Sequence, residues 1–269
     1  MKIYLFILFL FCNTSFSQDY FSGKKTYCGT QNARAKELFD TGIETLYLNT
    51  QLNKKYLNMT ADVFYNAYKI DSTFCDAIFF AGYTSGLTGD RKTALTCYYI
   101  ADSISNNKSL EFKINLAAEA LRTNSDFGIK LARKKYNEVI EFFPESSEGY
   151  YGFAITSPEI GDIEKGLENL NIAIEKYNFI VPNRQNEQNF LKGILLTLNK
   201  KYDEGLEYLE MCSKAYKKDL NYKIHYSLCL LKVSEIRNDI VMKEKAFKIY
   251  KKIDNKELIP IVIKDLLVF

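Results

Sequence analysis

Cys75–Ala101 reads CDAIFFAGYTSGLTGDRKTALTCYYIA, and its reading decides the fold. Two helical patterns meet at a turn. The first puts Ile78, Ala81 and Gly82 on one side with Phe79 and Tyr83 beside them. The second carries Ala94, Leu95, Tyr98 and Ala101, which is i, i+1, i+4, i+7 spacing and one face of a helix. Gly89-Asp90 lies between them: glycine adopts the left-handed conformation that ends a helix, and aspartate caps the next one. Gly82, Ala94 and Ala101 are small where two helix axes must approach closely. A hairpin of this size cannot bury both of its faces by itself, so it needs neighbours.

The neighbours repeat its second-helix pattern, a small residue followed by an aromatic or aliphatic one and then another small or aliphatic one. It occurs as Thr60/Phe64/Ala67, Ala94/Tyr98/Ala101, Ala132/Tyr136/Val139, Gly166/Leu170/Ala173, Gly205/Leu209/Cys212 and Ala246/Tyr250/Ile253. The leading positions are spaced by 34, 38, 34, 39 and 41 residues. Upstream of three of them sits a second small residue, Gly82, Ala154 and Gly193. Gly161-Asp162 repeats the Gly-Asp turn. Two helices per period meeting at small residues is the simplest account.

On these residues the chain resembles the tetratricopeptide-repeat family, whose unit is a 34-residue helix-turn-helix with small and aromatic anchors. Residues 75–106 and 147–178 match without gaps, and 187–214 match with a loop variation. Residues 34–72, 108–144 and 221–254 match mainly in their second helix. The departures are longer connections over Asn49–Asn58 and Arg122–Gly128, and a unit-ending proline present only as Pro144. The resemblance implies an all-α protein, an α-solenoid of about six helix-turn-helix units forming a right-handed superhelix with a concave surface that binds peptides or proteins.

Position by position, the resemblance places Phe79 and Tyr83, Tyr151 and Ile155, and Phe190 and Ile194 along that groove. They would hold an extended ligand by aromatic and apolar contact. The alternative is that these side chains pack between helices. A clamp of Lys and Asn for acidic chain ends is not supported, because Phe79, Tyr83 and Gly152 occupy the corresponding places.

The bulk properties agree with an ordered helical protein. Of 269 residues, 47% are hydrophobic and 26% charged, and only 4 Pro and 13 Gly interrupt the chain. There is no Trp, but 20 Tyr and 19 Phe, so aromatic rings must fill much of the interior. A net charge of +3 is too mild for nucleic acid as the principal partner.

Residues 1–17 read as a signal peptide. Lys2 is followed by the apolar run Ile3–Phe11, and Ser15-Phe16-Ser17 offers the small residues an export peptidase reads, with cleavage before Gln18. The run is too short to span a membrane. A periplasmic or secreted protein follows. Lipid attachment through Cys12 is the weaker alternative, since Leu10-Phe11 is bulky where a lipoprotein signal needs a small residue. Removing Cys12 leaves Cys28, Cys75, Cys97, Cys212 and Cys229. Three of them fall on apolar helix faces. Cys28 lies outside any helical pattern and Cys75 begins a helix, so Cys28–Cys75 is the expected disulfide, tying down an extended lead-in over residues 18–31. Residues 32–257 form the repeat domain, and the apolar residues 258–269 form a helix capping the open end of the stack.

Catalytic chemistry is sparse. The single histidine, His225, follows Tyr222 and precedes Tyr226 and Cys229, a setting for a packed side chain rather than a base. A nucleophilic couple of Cys28 with His225 has no local support. The motif G-x-S-x-G, zinc-protease signatures and phosphate loops do not occur. Gly82, Gly86 and Gly89 fall at helical spacing and at a turn. Glu164, Glu168, Glu204 and Glu207 lie beside lysines at helix-surface spacing. No catalytic, cofactor-binding or metal site is expected. The sequence reads as a non-enzymatic scaffold that binds a protein or peptide in the cell envelope, with glycan binding through groove aromatics as the runner-up.

Overall fold

The computed structural model describes residues 20–48, 53–177 and 182–269. The signal-peptide reading, the cleavage point and Cys12 lie outside these residues. The helices are α1 (Ala33–Leu48), α2 (Lys54–Ile70), α3 (Cys75–Thr88), α4 (Arg91–Ser105), α5 (Leu110–Arg122), α6 (Asp126–Phe142), α7 (Ser147–Ile160), α8 (Ile163–Lys176), α9 (Pro182–Leu198), α10 (Tyr202–Met211), α11 (Ser213–Tyr216), α12 (Leu220–Arg237), α13 (Ile240–Lys251) and α14 (Ile261–Lys264). Among the described residues there is no β-strand. The chain divides into two compact units, which meet in sequence at Phe143/Pro144.

Within the N-terminal unit, α1 packs on α2, α3 on α4 and α5 on α6. Within the C-terminal unit, α7 packs on α8, α9 on α10 and α12 on α13. These six hairpins are the units that the spacing predicts, and the anchors do the work expected of them. Phe64, Ala67, Ala94, Tyr98, Ala101, Ala132, Tyr136, Val139, Leu170, Ala173, Leu209, Cys212, Ala246 and Ile253 are all buried. Tyr250 is half-buried. At Gly82 the need for a small residue is steric: a Cβ there would lie 2.8 Å from the Cβ of Cys97 and 3.2 Å from the carbonyl oxygen of Ala94.

The turn chemistry is equally local. Gly89 ends α3 at φ 86, and the Asp90 carboxylate accepts the Thr93 N–H at 3.1 Å to start α4. Two connections are shorter than the sequence suggests. Asn53 caps α2 by accepting the N–H groups of Lys55 and Tyr56, so helix begins at Lys54 inside the polar stretch 49–58. Ser125 accepts the Gly128 N–H at 3.0 Å, so α6 begins at Asp126 and only residues 123–125 join it to α5. A capping side chain replaces water on otherwise unpaired amides, and this lets polar sequence enter a helix.

The C-terminal residues do not form one long helix. Pro260 breaks the segment into a 3₁₀ turn (Lys256–Leu258) and the one-turn helix α14. Ile259, Ile263 and Leu267 nevertheless bury against the C-terminal core.

A four-charge cluster binds the second and third hairpins. Lys113 Nζ on α5 lies 3.0 Å from Asp102 of α4 and 2.6 Å from Glu138 of α6. Lys135 Nζ lies 2.6 Å from Asp102 and 2.8 Å from Glu138. Burial would lower the pKa of Lys135, but its hydrogen bonds to Asp102 and Glu138 prevail and hold it above the usual lysine value. For Glu138, burial acts upward and is outweighed by Lys113 and Lys135, so its carboxyl stays below the usual value.

Candidate functional site

The surface formed by the first helices α1, α3 and α5 of the N-terminal unit carries residues 20–30 across it. Tyr20 is fully buried, with its ring 5.5 Å from Phe79, 5.4 Å from Phe80 and 5.9 Å from Phe112. Phe21 lies 5.1 Å from Tyr83. The chain then turns: Gly23 donates to the Tyr20 carbonyl at 2.9 Å, at φ 73, and lies so close to α1 that a Cβ would sit 2.8 Å from Ile43.

The following residues dock on Asp76, a fully buried carboxylate in the first turn of α3. Tyr27 N–H donates to Oδ1 at 2.9 Å, and Cys28 and Gly29 N–H donate to Oδ2 at 2.8 and 3.1 Å. Three successive main-chain donors on one buried carboxylate satisfy a charge that would otherwise be costly to bury. The Tyr27 hydroxyl donates to Glu111 of α5, and its ring packs 5.6 Å from Phe112. Burial, and then the Glu111 bond, raise the Tyr27 pKa well above the usual phenol value. Thr30 donates to Asp71 at the end of α2.

Cys28 and Cys75 form a disulfide with Cα atoms 5.6 Å apart, closing over the same place. Sequence reasoning found the bond but not Asp76. The available signal was one acidic residue opening a run that is otherwise apolar on all sides. Cys28, Cys75 and Asp76 hold their ligand-type atoms within 4.8 Å of one another. As arranged they are not a metal centre: the sulfurs are bonded to each other and cannot act as thiolates, and the carboxylate accepts three N–H bonds.

The groove candidates divide by unit. Phe79 is fully buried, its ring 4.6 Å from Phe112 and 5.2 Å from Tyr98. Tyr83 is partly exposed against Phe21. Phe79 and Tyr83 thus come together with the lead-in segment.

In the C-terminal unit Tyr151 is buried under the Arg184 guanidinium, 4.0 Å from its ring centre, and Ile155 is buried on the same helix. Arg184 also bonds Glu148 at 3.0 Å. Phe190 stacks on Tyr216 at 4.3 Å, and Ile194 is a core residue beside it. Five of the six side chains are therefore placed in the interior, the alternative given for them above.

Among the described residues, the three free thiols and the one histidine are all buried. Burial raises the thiols of Cys97, Cys212 and Cys229 to about 11, about 12 and about 12, so they stay protonated at neutral pH. Cys28 is a disulfide sulfur rather than a thiol. His225 on α12 is 1% exposed, and burial pushes its pKa down to about 3.

This has a measurable consequence. The folded chain keeps His225 neutral, whereas the unfolded chain protonates it below about pH 6.5. The stability it permits is complete above that value and falls as pH drops towards 3, by about 1.4 kcal/mol per pH unit. Urea unfolding at pH 6.5 and 5.0 should show that His225→Leu loses about 2 kcal/mol less than the parent over this interval. Equal losses would show that the imidazole does not set the slope.

No protein-family profile and no curated protein matches the sequence. Solved structures do. PilF of Pseudomonas aeruginosa superimposes with a TM-score of 0.58 at 14% identity, covering 82% of this chain and 93% of that one. YrrB, a TPR protein with an unusual peptide-binding site, gives 0.55 at 14% identity over 74% of this chain and 96% of that one. The Cut9–Hcn1 hetero-tetramer of APC/C gives 0.55 at 15% identity, covering 87% of this chain and 42% of that one. At such identities the likeness concerns the fold. Helices packed pairwise into hairpins within each unit, buried anchors at the repeat positions and these superpositions agree: the chain has the tetratricopeptide-repeat fold, a TPR-like α-solenoid.

Proposed function

We propose that this protein is a non-enzymatic scaffold of the cell envelope that binds a protein or peptide along the faces of its first helices. One observation carries the reading. In the N-terminal unit that face already grips a short segment of polypeptide, by the main-chain N–H groups of its non-helical residues Tyr27, Cys28 and Gly29 on Asp76 and by the rings of the helical residues Tyr20 and Phe21 against Phe79, Phe80 and Tyr83. A surface that holds one such segment has the chemistry to hold another of the same kind. YrrB, similar in fold, carries a peptide-binding site. The envelope assignment is supported by the composition of residues 1–17 and by the disulfide, a bond that persists in oxidising compartments. Among the described residues no helix is long and apolar enough to cross a membrane.

The test is selection of ligands from a displayed random-peptide library against the purified chain, followed by cross-linking of the selected peptides. Cross-links concentrated on first helices, such as 75–88 and 147–160, are expected. Cross-links confined to second helices would overturn the groove, and a defined sugar-array hit without any peptide hit would favour the glycan reading.

A further inference from the structure

The lead-in segment is placed as a ligand is placed. Between Tyr20 and Gly29 it touches the first helices of three consecutive hairpins, α1 at Ile43, α3 at Asp76, Phe79 and Phe80, and α5 at Glu111 and Phe112. Tyr20 and Phe21, which insert their rings, are helical, whereas residues 24–32 form no helix or strand and are held through the main-chain N–H groups of Tyr27, Cys28 and Gly29 and through the Tyr27 ring. The main-chain contacts of residues 27–29 are how a groove reads a peptide, not how one helix packs on the next.

The surface beneath is buried along its length. Cys75 to Gly82 of α3 are buried without a break, Asp76 included. Helices α2 and α4 pack on this run, Phe39, Phe64 and Phe112 cover Phe79 and Phe80, and residues 20–30 complete the cover at Asp76 and Phe79. Lifting the segment would uncover a buried acid ringed by aromatic side chains.

We infer that residues 20–30 are a built-in ligand closing the peptide groove of the N-terminal unit, and that the Cys28–Cys75 disulfide is the latch that keeps an outside peptide of the same chemistry from taking its place. This rests on the groove reading proposed above and names what the groove accepts: a peptide that presents two aromatic residues from a helical turn and, past a tight turn, a non-helical run whose main-chain N–H groups reach Asp76. While the disulfide holds, the segment cannot leave at all. Once it is cut, the segment remains a tethered competitor of high effective concentration, but one that exchanges.

Opening needs a dithiol reductant, and the geometry shows where it acts. Cys75 is fully buried whereas Cys28 is half-buried, so a thiolate reaches the Cys28 sulfur. The Cys28–Cys75 bond breaks and Cys75 leaves as thiolate, which takes a proton. The second thiol of the reductant then resolves the mixed disulfide. The chain gains two electrons and two protons, and the dithiol becomes a cyclic disulfide.

The experiment uses the full chain and a fluorescein-labelled synthetic peptide, residues 18–32 with Ser in place of Cys28, followed by anisotropy. Oxidised protein should bind it at least tenfold more weakly than protein reduced with dithiothreitol or the Cys28→Ser/Cys75→Ser variant. Adding Tyr20→Ser and Phe21→Ser to that variant weakens the tethered competitor and should tighten the peptide further. The same two changes placed in the peptide should abolish its binding.

Equal binding to oxidised and disulfide-free protein would overturn the latch. No binding to the disulfide-free chains, or loss of their helical circular dichroism once the segment is weakened, would make residues 20–30 ordinary core and overturn the built-in ligand. The peptide derives from this chain itself, so either failure is separable from failure of the scaffold reading, which the displayed-library selection tests.

Discussion

Asp102→Ala should destabilise the protein by about 3–5 kcal/mol, read as a fall in the urea midpoint at neutral pH. Asp102 is the one carboxylate that both buried lysines share from α4, at 3.0 and 2.6 Å. Removing it leaves Lys113, 1% exposed, and Lys135 with Glu138 alone to offset two positive charges. Attraction inside a poorly polarisable interior roughly balances the cost of stripping water from the ions, so the intact cluster gives little net stability. A broken one leaves a charge that nothing offsets. The same reasoning predicts a rescue. Replacing all four groups together, Asp102→Leu, Lys113→Met, Lys135→Met and Glu138→Leu, should restore most of what Asp102→Ala loses, because no charge is then stranded. A quadruple variant as unstable as the single one would show that the cluster stabilises through its own ion pairs.

The cluster also marks the boundary of what sequence can show. The anchors from Phe64 to Ile253 were legible because a helix repeats every 3.6 residues, and a helix pressed against its partner needs small residues at fixed steps. Such signals are local, and so was the cap at Asp90; the cap at Ser125, inside what reads as a longer connection, was missed. Asp102, Lys113, Lys135 and Glu138 look in sequence like any solvated charges. Their meeting depends on how three helices are packed, and that information is not local. The disulfide was legible by a different route, since one cysteine lay outside the helical pattern and another began a helix.

Residues 20–30 were legible only as a lead-in. Nothing in their composition tells that Tyr27, Cys28 and Gly29 converge on Asp76, 47 to 49 residues away. One hint was present: Cys75–Gly82 has no polar face, and a helix apolar all round is covered all round. Packing against α2 and α4 accounts for two sides of it and leaves the cover at Asp76 unnamed. The C-terminal unit repeats the point in α12, where Tyr222 to Leu231 are buried with the single exception of Lys223.

That cover explains why Phe79 and Tyr83, neighbours on α3, should respond differently to truncation. Phe79→Ala should cost about 3–5 kcal/mol, because its ring is fully enclosed by Tyr20, Phe80, Tyr98 and Phe112 at centroid distances of 5.5, 5.7, 5.2 and 4.6 Å. Its loss opens a cavity under the segment from two sides. Tyr83→Ala should cost only about 1 kcal/mol, since that ring is partly exposed and lies at the edge of the cluster against Phe21, at 5.1 Å.

The difference bears on how binding data are read. A chain carrying Phe79→Ser that fails to capture a ligand has first lost its fold, so it says nothing about contact. Tyr83→Ala keeps the fold and exposes the edge of the groove, and a change in ligand affinity there reports on the surface itself. Urea midpoints for the two variants decide the matter. If Phe79→Ala unfolds within 1 kcal/mol of Tyr83→Ala, Phe79 is no keystone of the N-terminal core, and its ring is free to face a ligand.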